Sequence, residues 1–294
     1  MEPASCAPES SPILVGGTGR SGSTVVGHIL DHHPQLSLTR PMEVRFIAGR
    51  HGLAEALDTA QRHPDQAAAV SELAVDRLKN RWYFRAEEVG LHTTVARPDL
   101  DTWCADYCGG FGTDPVGATR QLTAQIMQRV VAPLPGSQWV DTTPANARNA
   151  DLVTRIYPNG RVIAVERDGR DVAASFVQQP FGPDDPFQAL RKWEQRTLRI
   201  HQAAKACPPD RMLIVQLMDL VAKDRAGALQ RICEFLGLAV DAEMVAWCDD
   251  NVTADAAHPD RWRRQFDRKT ADRLDKRYAE AVQRLRAQGV QVVT

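Results

Sequence analysis

Pro12-Ile13-Leu14-Val15-Gly16-Gly17 leads into a polar stretch rich in Gly and Ser, followed by Val25, Val26, Ile29 and Leu30 at helical spacing. A chain built this way has few ways to fold. The first run is short, apolar and closed by glycines, as a strand buried on both faces of a parallel sheet requires. The later spacing predicts a helix, closed at Pro34. Strand, glycine-rich turn and helix in that order aim backbone N–H groups and a helix N-terminus at one point, an arrangement suited to an anion.

The same alternation continues. Ser137–Asp141 reads as a second strand and Arg161–Glu166 as a third, with a helix through Val172, Ala173 and Phe176 directly after it. Met212–Val215 reads as a fourth, followed by a helix over Ala226–Leu236 with Gly237 as its C-cap. Thr270–Gln288 reads as a charged amphipathic helix. Strands alternating with helices predict an α/β fold, a three-layer parallel sheet flanked by helices. The 294 residues, 43% of them hydrophobic, suffice for a sizeable core. The expected organisation is a loose N-terminal arm (residues 1–11) and a single domain (residues 12–294), with residues 45–135 as a helical insertion over its ligand edge.

A net charge of −1 argues against a general nucleic-acid binder. No stretch approaches the roughly 20 apolar residues of a membrane span. The first twelve residues hold Glu2 and Glu9 and no hydrophobic run, unlike a signal peptide, so the cytoplasm is the expected compartment. Of the six cysteines, Cys104 and Cys108 lie one helical turn apart. A metal or redox pair is one reading and buried free thiols are the other; no metal is expected.

Two segments carry the chemistry. Gly17 and Gly22 have the spacing of a Walker A loop, but Ser23 stands where the lysine of a nucleoside-triphosphate site belongs. The loop therefore suits a smaller terminal anion, with Arg20, Ser21, Ser23 and Thr24 as side-chain donors; a plain glycine turn with a Ser/Thr cap is the alternative. Arg167 follows the third strand and Ser175 lies in the next helix, so both reach the C-terminal edge of the sheet and provide a second anion site. Alternatively, Arg167 and Arg170 pair with Asp168 and Asp171 as a structural network.

Together these segments resemble the sulfotransferases that use 3′-phosphoadenosine 5′-phosphosulfate (PAPS) and release adenosine 3′,5′-bisphosphate (PAP). Gly19-Arg20-Ser21-Gly22-Ser23-Thr24 is similar to their 5′-phosphosulfate loop, a P-loop-type element. Arg167-Asp168-Gly169-Arg170-Asp171-Val172-Ala173-Ala174-Ser175 is similar to their 3′-phosphate motif, in which Arg167 and Ser175 correspond to the phosphate-holding residues. Asp31-His32-His33-Pro34, Trp139–Pro144, Asp219-Leu220, Phe235–Leu238 and Arg261-Trp262-Arg263 fall in family order, so the resemblance spans about residues 12 to 266.

The resemblance implies transfer of a sulfonyl group to a hydroxyl on a small molecule, glycan, lipid or phenol. Arg20 is expected to neutralise charge on the 5′-phosphate side. Glu43 is expected as the general base with Arg45 assisting, because Glu43-Val44-Arg45 resembles the Glu-x-Arg segment of tyrosylprotein sulfotransferases. His92, His51, His32, His33 and Asp141 stay open as other bases. Thr142 stands where many relatives have a lysine, whose work passes to Arg20, Arg45 or Arg40. No tyrosine precedes Asp219-Leu220, where relatives place one, and Arg261 or Arg263 stands in for the missing C-terminal glycine-rich lysine segment. Aromatic residues at 82–84, 103 and 107 belong either to an acceptor pocket or to core. Two rivals remain: a P-loop small-molecule kinase, and an inactive relative that binds the nucleotide without turnover.

Overall fold

A computed structural model describes residues 11–131 and 138–292. The expected arm (except Ser11), residues 132–135 of the expected insertion and Ser137 lie outside the described residues. Five parallel strands, β1 (Ile13–Gly17), β2 (Leu36–Leu38), β3 (Gln138–Asp141), β4 (Arg161–Glu166) and β5 (Met212–Gln216), form one sheet in the order β2-β3-β1-β4-β5. The α/β class is as expected. The three-residue strand β2 is an addition: Leu-Ser-Leu is too short to show a period, and pairing with β3 (Leu36↔Gln138, Leu38↔Val140) defines it.

The pleat explains the three layers. In β1, Ile13 and Val15 point into one core and Leu14 into another; in β4, Ile163 and Val165 oppose Val162 in the same way. The first core is completed by α1 (Ser23–Asp31), which follows β1. The second takes residues from α2 (Leu53–Arg62), α3 (Ala67–Arg77), α4 (Arg97–Phe111) and α5 (Pro115–Val130). These four helices fall within the expected insertion, which is mostly helical. They share their core with α7 (Ala150–Ile156), which follows the short α6 (Ala145–Arg148).

After β4, α8 (Gly169–Phe176) and α9 (Pro186–Ala206) pair closely. Helices α10 (Arg225–Leu236) and α11 (Ala242–Asn251) pack on the α1 face. As expected, Gly237 caps α10, in the left-handed region at φ 69°. The chain ends in α12 (Arg261–Gln265) and α13 (Arg268–Ala287), which cover α8 and α9. No described helix is long and apolar enough to cross a membrane.

Because every strand is parallel, the segments after β1, β3, β4 and β5 emerge at one edge. The connection out of β1 runs to the β2 edge of the sheet, whereas that out of β4 runs to β5 on the opposite side, which makes the C-terminal ends of β1 and β4 the switch point where open α/β sheets bind ligands.

Candidate active site

The turn after β1 is a backbone cradle. Gly19 (φ 82°) and Gly22 (φ 105°) occupy backbone conformations open to glycine, and a Cβ on Gly22 would stand 2.6 Å from Leu217 Cδ1. Among the described residues, no backbone N–H from Gly19 to Val25 donates to a protein acceptor; the first such bond is Val26 N–H to Gly22 O at 3.2 Å. Seven consecutive amides at a helix N-terminus thus remain for an external anion. Ser23 and Thr24 line the cavity above them. Ser21 does not: it is fully buried, its hydroxyl packs against Gly17, and Oγ has no partner among the described residues. What Ser21 offers an anion is its amide.

The second segment closes onto the first. Arg20 Nε donates to Ser175 Oγ at 3.1 Å, joining residues 155 positions apart. Arg167 Nη1 donates to Arg20 O at 3.3 Å, and Nη2 donates to Ala257 O and, at 3.3 Å, to His258 O. Arg167 therefore ties the glycine-rich turn to the segment before α12 while lining the cavity. Burial holds its pKa below the ordinary guanidinium range, with Asp171 opposing. The alternative pairing network is half present. Arg170 does pair with Asp168 and Asp275, and its guanidinium sits 4.8 Å from the Trp262 ring centre and 4.3 Å from that of Tyr278. Arg170 is thus a structural strut, whereas Arg167 stays only 4.0 Å from Asp171 and faces the cavity. Arg261 is close enough for its charge to lower the Arg167 pKa, but it does not line the cavity, and neither does Arg263, which stacks on Trp262.

Glu43 and Arg45 enter from the chain beyond β2. Val44 N–H donates to Asp141 Oδ1 (3.1 Å) and Arg45 N–H to Thr143 Oγ1 (3.0 Å), so the end of β3 grips this segment through its backbone. Asp141 is wholly buried and also accepts from Thr143 Oγ1 and Asn146 Nδ2. Burial raises its pKa above the usual carboxylate range. It does not border the cavity, so it is a positioning residue rather than a base. Arg20, Glu43 and Arg45 all hold positive φ (59°, 57° and 60°), a conformation costing about 1–2 kcal/mol for a side-chain-bearing residue. Both ion-pair contacts of Glu43, from Arg45 and from Arg85 at 3.8 Å, fall on Oε2, and Oε1 keeps no partner among the described residues.

The other base candidates lie elsewhere. His32 stacks on Trp247 (4.8 Å), His33 bonds to Ala239 O, His51 faces Glu55, and His92 bonds to the carbonyls of Tyr83 and Glu87. None lines the cavity. Arg40 does not take up the missing lysine's work either: its exposed side chain pairs with Asp31 at 2.7 Å. Thr142 is buried beneath α1, its methyl so close to Gly27 that a Cβ there would stand 2.3 Å away. Of the aromatic residues, Trp82 lines the cavity and Tyr107 is core, while Phe84 is exposed. Cys104 is a buried free thiol, pushed up to about 12 by burial.

The cavity is about 650 Å³, within the range of small-ligand sites. Its lining adds cations that the sequence alone did not single out: Arg50, Arg77, Arg81, Arg148, Lys192 and Arg196. Arg196 donates to Thr18 O, and burial beside Arg148 lowers it to about 10. Lys192 and Arg196 both sit over the Phe176 ring, at 5.4 and 5.5 Å. One local signal was available: Lys192/Arg196 and Arg77/Arg81 are like charges four residues apart, which a helix tolerates at a cost of about 0.2–0.5 kcal/mol per pair.

A parallel sheet with a glycine-rich turn at its switch point, arginines beside it and a carboxylate on the facing segment has the layout of a group-transfer enzyme. The family model that matches residues 12–242 is that of the sulfotransferase family, and the chain belongs to it. It is a sulfotransferase, and its acceptor carries a hydroxyl. The fold is similar to that of the sulfotransferase domain from the Synechococcus PCC 7002 olefin synthase (18% identity, 95% of this chain and 98% of that one, TM-score 0.52). The sulfotransferase domain from the curacin biosynthetic pathway is also similar (16%, 95% and 98%, TM-score 0.51), as is the sulfotransferase STF9 from Mycobacterium avium (16%, 94% and 77%, TM-score 0.50). A comparison with curated proteins finds no match.

Proposed function

We propose that this sulfotransferase takes its sulfonyl group from PAPS, with the 5′-phosphosulfate on the amides of Gly19–Thr24 and the 3′-phosphate at Arg167 and Ser175. The observation carrying this reading is that Arg20 and Arg167 line one cavity and are joined by a hydrogen bond, with the buried Ser175 behind Arg20 accepting from its Nε, so segments far apart in sequence share one ligand space. The donor's chemistry is an activated sulfonyl group on a phosphate leaving group. Transfer breaks the bond between sulfur and the bridging oxygen and forms one between sulfur and the acceptor oxygen. Arg20 and the free amides meet the charge left on the 5′-phosphate. Glu43 Oε1 takes the hydroxyl proton, and Arg45 and Arg85 hold Oε2 so that the carboxylate keeps its aim. Arg196, Lys192 and Arg148 supply the positive charge that the Thr142 position lacks. Residues 12–294 act as one domain, with residues 45–135 on the acceptor side.

The kinase alternative has nothing comparable in its favour, since Ser23 leaves the loop without its triphosphate lysine. Transfer of radiolabelled sulfate from PAPS across acceptor classes is the functional test: label appears in a hydroxyl product and PAP inhibits. Phosphate transfer from ATP instead would refute the reading.

A further inference from the structure

We propose that the acceptor is itself an anion, a hydroxyl compound carrying a carboxylate, sulfate or phosphate near the hydroxyl that is sulfonated. This rests on the PAPS reading above. Nine cationic side chains line the cavity against one carboxylate, Glu43. PAPS brings roughly four negative charges, about two on the 3′-phosphate and one on each half of the phosphosulfate. With the donor bound, a surplus of about four positive charges remains, in a protein whose overall charge is −1.

The surplus has a location. Gly49 N–H donates to Arg45 O at 2.7 Å, and a Cβ on Gly49 would stand 2.8 Å from Trp82 Cζ2. The segment carrying the base thus runs directly into Arg50 and Trp82, next to the Arg77/Arg81 pair. Arg50, Arg77 and Arg81 form no ion pair with any described carboxylate, and the buried Arg77 Nε has no partner among the described residues. By contrast, Arg196 reaches Thr18 O and serves the donor loop. Unpaired like charges on one wall beside Trp82 repel one another, and a bound acid group relieves that repulsion, most strongly at low salt.

The test uses the full chain saturated with PAP, so that only the acceptor side is open. Two matched pairs are titrated by calorimetry at low salt: 4-hydroxyphenylacetate against 4-hydroxyphenylethanol, and methyl β-glucuronide against methyl β-glucoside. In at least one pair the acid should bind about tenfold or more tighter than its neutral twin, and the pair showing this separates a phenolic acid from a sugar acid. R77A/R81A should erase the preference while leaving PAP affinity unchanged. R81E, at an exposed position, should do the same without a packing change. Equal binding of acid and neutral twin, no binding of either acid, or an undiminished preference in both variants would overturn the proposal. PAP binding in the same titration reads the donor site separately, so a protein that holds PAP but shows no acid preference refutes this inference alone.

Discussion

Replacing Arg167 by alanine should remove the protein's preference for a 3′-phosphate. The side chains of Arg167 and Asp171 are only 10% and 8% exposed, so this is not a solvent-screened surface pair. A charge-assisted hydrogen bond to a phosphate in such a place is worth about 1.5–3 kcal/mol, or roughly 10- to 100-fold in affinity. The variant also cuts the tie from Arg167 to Arg20 O and to residues 257–258, which loosens the cradle for any nucleotide. Comparing PAP with AMP separates the two effects, because AMP shares the adenosine and 5′-phosphate but lacks the 3′-phosphate. Calorimetry on wild type and R167A gives four affinities. The loosened cradle lowers both ligands alike, while the lost phosphate contact lowers only PAP. The PAP-to-AMP ratio should therefore collapse by about 10- to 100-fold. An unchanged ratio, even with both affinities reduced, would refute the assignment of the 3′-phosphate to Arg167.

Glu43→Gln keeps the shape and removes the proton acceptor, so turnover should fall about 10²- to 10⁴-fold with PAP affinity unchanged; undiminished turnover would refute Glu43 as base. Gly22→Ala forces a side chain to φ 105° and pushes on Leu217, so PAP affinity should drop by about tenfold, checked by the same calorimetry. Asp141 binds its proton more readily folded than unfolded, so its contribution to stability is full below the ordinary Asp pKa of about 3.9 and is lost as pH rises through its raised folded pKa. Thermal unfolding against pH should show that decline in wild type and lose it in Asp141→Asn; identical profiles would place the proton elsewhere.

The elements legible from sequence are those whose signals are local. Pro12–Gly17 with its loop and helix, and Arg161–Glu166 with the helix after it, each pack strand and turn chemistry into about twenty residues, and these strands and helices stand where expected. Strand β2 was not legible because three residues carry no period and only pairing with β3 creates it. The cationic wall escaped for a different reason. Arg50, Arg77, Arg148 and Lys192 come from separate elements, and each resembles a surface charge until the fold brings them to one cavity. Ser21 illustrates the reverse error: its place in the motif suggests a side-chain donor, but the tight turn directs its hydroxyl at Gly17. Arg261 likewise follows family order yet stays off the cavity lining, in charge contact with Arg167 only.

The most direct measurement of the central claim is a calorimetric titration of the wild-type protein with PAP, beside the same titration with ATP and Mg²⁺. One PAP per chain, bound more tightly than AMP and than MgATP, is the result expected from a lysine-free cradle joined to Arg167. Absence of PAP binding, or tighter binding of ATP that depends on Mg²⁺, would contradict it.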